Sequence, residues 1–453
     1  MLLDLQSRKI VAALFIALLV FSLSLLAFNI QQSILLGLIA LLVALWTNEG
    51  LPLAVVSLLP VVLFPAMGLL DTKTTTTNYA HPIIFLFLGG FLIAIAVEKC
   101  GLHTWIAHKM LAIFPNTGRG IIFSLVFTSG LLSAVLSNTT TTLLLISIAL
   151  YLSNDPKLKT RFALAIAYGA SVGGIMTPIG TPPNLILMGI MDDEGLPHIP
   201  FFQWMWMIAP LSLLMFGVVG YVLSMGLKDV HIQLEQSVPN LNSQQQKMLW
   251  LLTGLILLLL VNAPIHPYWQ GLGLSEPGIL LATGLLLFMP PFKQLDWMQD
   301  KGKIPFRIMF LFGAGFSIAK AFTSTGLATE IATYLTQLGT LPIILLLLAI
   351  ASIITFTTEI TSNTALISIM LPIIYAMSQQ LQIEPTLVMM VATICASYAF
   401  MLPIATPPNA IAMASGVVDI KTMASYGFLF NMAGIILVVL FAVFFWQPVL
   451  QNI

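Results

Sequence analysis

TPIGTPPN at residues 177–184 recurs as LPIATPPN at 402–409, a shift of 225 residues. The same shift carries Ser137-Asn138-Thr139 onto Ser362-Asn363-Thr364. Upstream it carries FLFLGGFLIAIAVEKCGL (85–102) onto FLFGAGFSIAKAFTSTGL (310–327). That last pair agrees at 10 of 18 positions, where apolar composition alone gives roughly one to three. The chain is therefore two copies of one unit. The residues kept in both copies are polar, Pro or Gly inside apolar surroundings, where a bilayer makes them costly.

Composition sets the surroundings. The 453 residues are 58% hydrophobic and 8% charged, with a mean hydropathy of +1.01. Soluble domains carry about 25% charge, so an all-α polytopic membrane protein in contact with lipid is expected. A net charge of zero argues against a nucleic-acid partner. Two cysteines and six scattered histidines suggest neither a metal centre nor a structural disulfide. Arg8 and Lys9 precede an apolar run at 10–28. It is about span length, with no clear cleavage site, and reads as a retained first helix.

Span-length apolar segments fall near 10–28, 33–47, 51–70, 82–98, 162–190, 201–227, 247–264, 278–290, 305–323, 386–414 and 424–447, eleven in all. Two further blocks, 121–152 and 341–378, are too long for one crossing, and each is broken by its Ser-Asn-Thr triplet. They read as two re-entrant hairpins, since two full crossings would leave arms of only about 15 residues. With the N-terminus cytoplasmic and the C-terminus outside, 15 of the 17 Lys and Arg face the cytoplasm and Asp192-Asp193-Glu194 faces out, as the positive-inside rule requires. Trp46, Trp204, Trp206, Trp250 and Trp446 are expected in an interfacial belt,. Five crossings separate the matched segments, so the copies form an inverted repeat, an architecture of secondary transporters. The divisions are an N-terminal helix (1–32), first repeat (33–227), polar cytoplasmic linker (228–246) and second repeat (247–453). Residues 103–114 and 327–338 read as short interfacial helices.

The repeated polar residues have a shared chemistry. Ser137 and Ser362 are good N-caps for the second hairpin arms. Thr181 and Thr406, each followed by Pro-Pro, begin half-helices. The N-terminus of each returning hairpin arm carries free N–H groups and a partial positive charge, which favour an anion, and four half-helix N-termini would then meet at mid-depth. Residues 120–154 and 162–191 hold no charged side chain, and 341–420 hold only Glu359, Glu384 and Asp419. No basic side chain in these elements can neutralise a dianion, so mobile cations bound beside it are expected, on oxygen ligands. Ser133 and Ser137, like Thr358 and Ser362, are four apart, which on a helix is one face. With Asn138, Asn363 and backbone carbonyls near Gly180 and Ala405 they offer such oxygens twice, pointing to an anion–cation cotransporter.

The paired SNT triplets, TPIGTPPN with LPIATPPN, and TEITSNTA at 358–365 resemble the divalent anion:sodium symporter family, the INDY-type dicarboxylate transporters, over almost the whole chain. The resemblance implies a homodimer in the plasma membrane (the inner membrane of a bacterium). Each protomer would have a scaffold and a mobile transport domain, approximately 121–190 and 341–414, moving as an elevator. It implies substrate contacts from Ser137, Asn138, Thr139, Thr181, Ser362, Asn363, Thr364, Thr406 and Pro407. One sodium site would use Ser133, Ser137, Asn138 and Gly180, and the other Thr358, Thr361, Asn363 and Ala405. Sodium is the coupling ion and no other cofactor is expected. Some relatives are sodium-independent exchangers with basic residues in place of the ions. None stands at these positions, which favours sodium-coupled import of a C4-dicarboxylate such as succinate, malate or fumarate.

Other readings are weaker. A lone Ser-Asn-Thr in a membrane helix is ordinarily interhelical hydrogen bonding, and a lone Pro-Pro a kink; their paired recurrence argues otherwise. A sulfate symporter or a dicarboxylate exchanger keeps the fold and changes the cargo. An intramembrane enzyme would need an Asp pair, a Ser–His pair or a zinc motif, and none is present, so no enzyme is expected. Proton coupling would want carboxylates at both sites. Glu359 and Lys320, which fall on Ala134 and Ile95 of the first copy, are expected to form a structural ion pair or occupy solvated positions. The functional reading of Glu359 is that it shapes the field at the second cation site. The histidines fall in loops or at segment ends and read as structural.

Overall fold

The computed structural model describes residues 5–227, 230, 239–264, 268–335 and 341–450. Most of the 228–246 linker, with His231, and likewise His266 and residues 336–338, lie outside them. The first half runs through α1 (Leu5–Ser24), α2 (Ile30–Asn48), α3 (Leu53–Ala66), the short α4 (Thr72–Asn78) and α5 (Pro82–Lys99). It continues with α6 (Leu102–Ile113), α7 (Gly118–Ser133), α8 (Asn138–Tyr151), α9 (Pro156–Gly174), α10 (Pro182–Asp193) and α11 (Phe201–Leu223). The second half has α12 (Ser243–Asn262), α13 (Glu276–Leu286), the single turn α14 (Trp297–Asp300), α15 (Phe306–Ser324) and α16 (Leu327–Leu335). Then follow α17 (Ile343–Thr358), α18 (Asn363–Leu381), α19 (Pro385–Ala396), α20 (Pro407–Ala414), α21 (Ile420–Phe441) and α22 (Gln447–Leu450). No strand occurs among the described residues. α12 begins inside the segment read as linker, capped by Asn242, whose side chain accepts from the Gln245 N–H.

Eight helical stretches among the described residues are long and apolar enough to cross a membrane. Two of the eleven expected segments hold shorter helices, α3 and α13, of 14 and 11 residues, and 162–190 and 386–414 are each broken into two before their Pro-Pro, as expected. The chain is a multi-pass membrane protein. α1 is apolar on every side, packs on α2 and leaves Leu14, Phe15, Leu18 and Leu19 exposed, as a lipid-facing helix does. The block 341–378 extends to Leu381, and its second arm, α18, has 19 residues. The arm-length argument against a full crossing therefore does not hold for that arm.

The helices repeat as the sequence does, with α5 to α11 matching α15 to α21 in order, and α7 (118–133) falls residue for residue on α17 (343–358). α5 and α15 run antiparallel. At one end, Lys99 Nζ lies 2.6 Å from Asp300 Oδ2 and Lys303 Nζ 3.7 Å from Glu98 Oε1, joining the end of α5 to the entry of α15. Burial pushes the Asp300 carboxyl up. Hydrogen bonding from the Asp296 N–H and the Lys99 ammonium outweighs it and holds the group below the usual carboxylate range. At the other end, His81 lies 3.7 and 3.6 Å from Asp192 and Asp193, and Thr323 of α15 donates to Glu194 at 3.3 Å.

Packing is reciprocal between the copies. α13 lies on α5 and α3 on α15; α10 lies on α18 and α20 on α8. α11 packs on α7 and α9, and α21 on α17 and α19. The tryptophans do not form the expected belt. Of the five expected there, Trp204 and Trp446 are fully buried and Trp46 nearly so, while Trp206 and Trp250 are exposed. The Trp204 and Trp446 indoles donate to the carbonyls of Ile175 and Met207, both at 2.9 Å. Interior carbonyls hold them, not lipid headgroups.

Candidate functional site

Each hairpin is two helices joined by a short turn. α7 ends at Ser133 and α8 starts at Asn138, with Ser137 as its N-cap, its hydroxyl accepting from the Thr140 N–H at 3.1 Å. α17 ends at Thr358 and α18 starts at Asn363, capped by Ser362, which accepts from the Ala365 N–H at 3.5 Å. Ser133 and Ser137 therefore do not share a helix face, and neither do Thr358 and Ser362, because the helix stops between them. What the turn does instead is fold the first residue onto the triplet. Ser133 Oγ lies 2.5 Å from Asn138 Oδ1, and Thr358 Oγ1 2.6 Å from Asn363 Oδ1. Both hydroxyl residues are fully buried. Each copy thus holds a hydroxyl oxygen and an amide oxygen together, hard donors suited to an alkali cation.

The broken helices supply the other half. Thr181 and Thr406 occupy the N-cap positions of α10 and α20, with Pro in the first turn of each. Thr406 accepts from the Asn409 N–H at 3.4 Å; Thr181 makes no such cap bond. The last residue of TPPN, unassigned from sequence, proves structural in both copies. Asn184 Nδ2 donates to the carbonyls of Ile175 (3.3 Å) and Thr177 (2.9 Å), and Asn409 Nδ2 to those of Ala399 and Leu402, both at 3.0 Å. Each fully buried Asn ties the unwound backbone before its half-helix to the half-helix itself. Recurrence of the Asn in both TPPN strings was the available signal. Trp204 reinforces the first of these loops at Ile175.

One cavity of about 340 Å³ gathers these parts. Ser137, Asn138, Thr139, Gly180 and Thr181 line it from the first copy, and Ser362, Asn363, Thr364, Ala405, Thr406 and Pro407 from the second. The starts of α8, α10, α18 and α20 all open on it, so four positive helix-dipole ends face one space. α8 and α18 add the first-turn N–H groups of Asn138, Thr139, Asn363 and Thr364, whereas α10 and α20 begin on Pro-Pro and have none at those positions,. Ser133, Thr358 and Thr361 do not line it; the Thr361 hydroxyl donates back to the Thr357 carbonyl at 2.8 Å. Among the described residues no carboxylate lines the cavity. One charged side chain does, Arg307 of α15, which the charge count over the repeated elements left out. A larger cavity of about 490 Å³ lies beside Pro82, at the opposite end of α5 from Lys99, with Asp192, His198 and Glu276 in its wall. It contains no hairpin residue and no start of a broken half-helix, so the smaller cavity is the better anion seat.

Glu359 forms no ion pair among the described residues and is buried. Only 3% exposed, it accepts from the N–H groups of Met401 and Leu402, both at 2.9 Å, and from Asn431 Nδ2 at 2.7 Å. Lys320 is exposed on α15. His198 lies 3.7 Å from Glu276, and that carboxylate's hydrogen bond holds the imidazole above its ordinary value against the opposing effect of burial.

Paired discontinuous helices whose starts meet on one cavity, in a multi-pass chain that is helical over the described residues, define a membrane transporter of the secondary type,. Residues 41–395 match the family model described as citrate transporter. The chain is 31% identical to the sodium-dependent dicarboxylate transporter SdcS of Staphylococcus saprophyticus over 89% of its own length and 84% of the relative's. It is 31% identical to SdcS of Staphylococcus aureus over 96% and 91%. Among solved structures, the fold resembles the Alcanivorax borkumensis YdaH transporter, with a TM-score of 0.60 and 18% identity over 82% of this chain and 88% of that one. It also resembles Neisseria gonorrhoeae MtrF, with a TM-score of 0.59 and 16% identity over 82% and 83%. The chain belongs to the divalent anion:sodium symporter family.

Proposed function

We propose that the protein is a secondary active transporter that moves a C4-dicarboxylate such as succinate, malate or fumarate into the cell together with sodium ions. The observation that carries this reading is the meeting of four helix N-termini on one cavity that, among the described residues, no carboxylate lines. Helix ends offer partial charges of about half a unit each and act over a single turn, so a dianion needs further positive charge. The Ser133–Asn138 and Thr358–Asn363 oxygen pairs sit directly behind the triplets, where sodium would supply it. Ser137, Gly180, Thr361 and Ala405 complete the proposed cation shells. Ser137 to Thr139, Thr181, Ser362 to Thr364, Thr406 and Pro407 hold the carboxylates. The names of the staphylococcal relatives support sodium and dicarboxylate as cargo.

The proposed mechanism is an elevator in a homodimer. The moving part covers approximately 121–190 and 341–414, the triplets would be tips of re-entrant hairpins, and α11 and α21 are packed on it. The N-terminus is proposed to be cytoplasmic. In support, Lys99, Lys303 and Arg307 gather at one end of α5, and Asp192 and Asp193 at the other. The test is uptake of labelled succinate into proteoliposomes with sodium on one side, against sulfate and citrate competitors. Sodium-driven uptake that unlabelled succinate blocks is expected. Uptake indifferent to a sodium gradient would mean exchange, and sulfate outcompeting succinate would replace the substrate. Substitution of Thr181 or Thr406 is expected to alter substrate affinity more than sodium affinity.

A further inference from the structure

We infer that Arg307 is a countercharge that meets the dianion from one face of the membrane only, and so sets substrate affinity on that face. This rests on the transport function proposed above and deepens it.

Arg307 is the second residue of α15, is exposed, and lines the same cavity as both triplets and both TPPN threonines. The basic residues around it are engaged: Lys99 with Asp300 at 2.6 Å and Lys303 with Glu98 at 3.7 Å. Arg307 has no ion pair or hydrogen bond among the described residues. It also stands in the first turn of its helix, where the backbone dipole disfavours a cation. An anion in the cavity would offset both costs.

The position is one-sided. The residue 225 before it is Pro82, so the first copy has no counterpart. Phe91 and Ser137 line both the triplet cavity and an adjoining cavity of about 220 Å³ that continues to Glu98 and Lys303. The triplets therefore communicate with the face of the protein on which Arg307 lies. α15 packs on α3, α4 and α5 on one side and against α18 and α10 of the hairpin and broken-helix body on the other, and in the proposed elevator it belongs to the part that does not move. When that body carries the substrate to the other face, Arg307 stays with α15. The guanidinium thus adds to dianion binding on its own face and contributes nothing on the opposite one. A planar fork suits a carboxylate well, and a diacid with one carboxylate on the helix N-termini would present the other to it.

The test uses the full chain in proteoliposomes of defined orientation, with succinate KM measured from each face. Arg307→Gln is expected to raise KM from the Arg307 face roughly tenfold, the order of one charge–charge interaction in a water-connected cavity. KM from the opposite face and the sodium dependence should stay as in the wild type, and Arg307→Lys should keep most of the affinity. Arg307→Cys gives a second readout, because Cys100 and Cys395 are both buried. A cationic methanethiosulfonate should restore affinity on that face and an anionic one should weaken it further. Unchanged KM, equal changes from both faces, or identical effects of the two reagents would overturn the inference while leaving the transport function standing. A wild-type protein that moves no dicarboxylate would overturn both.

Discussion

The two copies of the unit open their broken helices to different extents. Seven residues, 175–181, separate α9 from α10, while ten, 397–406, separate α19 from α20. The second copy therefore leaves more backbone N–H groups to be satisfied within the protein. In the first copy the Thr177 hydroxyl donates to the Ala134 carbonyl and ties the loop to its hairpin. In the second, Leu402 replaces Thr177 and Glu359 replaces Ala134. The tie keeps its direction, loop donor to hairpin acceptor, but changes its groups, since backbone N–H groups of Met401 and Leu402 donate to a side-chain carboxylate where a side-chain hydroxyl donated to a backbone carbonyl. Asn431 supports the arrangement at both ends, donating to Glu359 and accepting from the Phe400 N–H at 3.3 Å. Equivalent loops can thus be held by the same donor direction through different chemical groups, and only the second carries an acidic group beside its proposed cation seat.

The sharpest way to break the comparison is at the residues the copies share. Asn138→Ala and Asn363→Ala should each reduce sodium-driven succinate uptake to background while the protein stays folded in detergent, because each removes the amide oxygen that faces its hydroxyl partner. Near-wild-type uptake in either variant would count heavily against the site. The next largest effect should separate the copies. Glu359→Gln turns an amide toward backbone N–H donors, and should cost about 1–3 kcal/mol for each one left unpaired. Thr177→Val in the first copy removes one hydroxyl bond and should cost about 1 kcal/mol. Thermal unfolding in detergent would rank them. If Glu359→Gln leaves both stability and sodium affinity unchanged, Glu359 shapes neither the loop nor the field at the second site.

A smaller effect should come from Gly174, where an added Cβ would lie 2.5 Å from Asn138 Oδ1. Gly174→Ala should displace that side chain, cost about 1–3 kcal/mol of overpacking, and weaken sodium binding measured by isothermal titration. The second copy has Ala399 at this position, beyond the end of α19, so the constraint belongs to the first copy. The smallest effect is expected in the loop before α11. Pairing with Glu276 raises the folded-state value of His198, so its stabilisation is present below the unfolded value, near 6.5, and is lost as pH rises through the folded one. The melting temperature of wild type relative to His198→Gln should therefore be higher at pH 5 than at pH 9. An equal difference at both pH values would remove the pair from the account.

The parts of the site that are local in sequence were legible there. Ser137, Ser362, Thr181 and Thr406 announce helix starts by residue type and by the prolines that follow. Their repetition in the same order, with an odd number of crossings expected between the copies, led to the expectation that they converge. The parts that depend on tertiary contact were not. Nothing in the spacing of Ser133 and Ser137 says that the helix stops between them, and a four-residue separation mimics a helical face. Trp204 looks like an interfacial tryptophan until the Ile175 carbonyl is found beside it. Arg307 lies outside every repeated polar motif, and only the packing of α15 brings it to the cavity. Glu359 was conspicuous as a lone charge, but its partners are 42 and 72 residues away.

The exchange of half-helices between the copies, α10 onto α18 and α20 onto α8, carries a consequence for the chain's ancestry. One unit alone cannot finish the anion seat, because two of the four helix starts around it belong to the other. A shorter polypeptide bearing a single unit would need a second molecule of itself, inserted upside down in the same bilayer, to assemble anything that binds. In the tandem chain the two units are free to differ, as they do where Glu359 stands for Ala134 and Arg307 for Pro82.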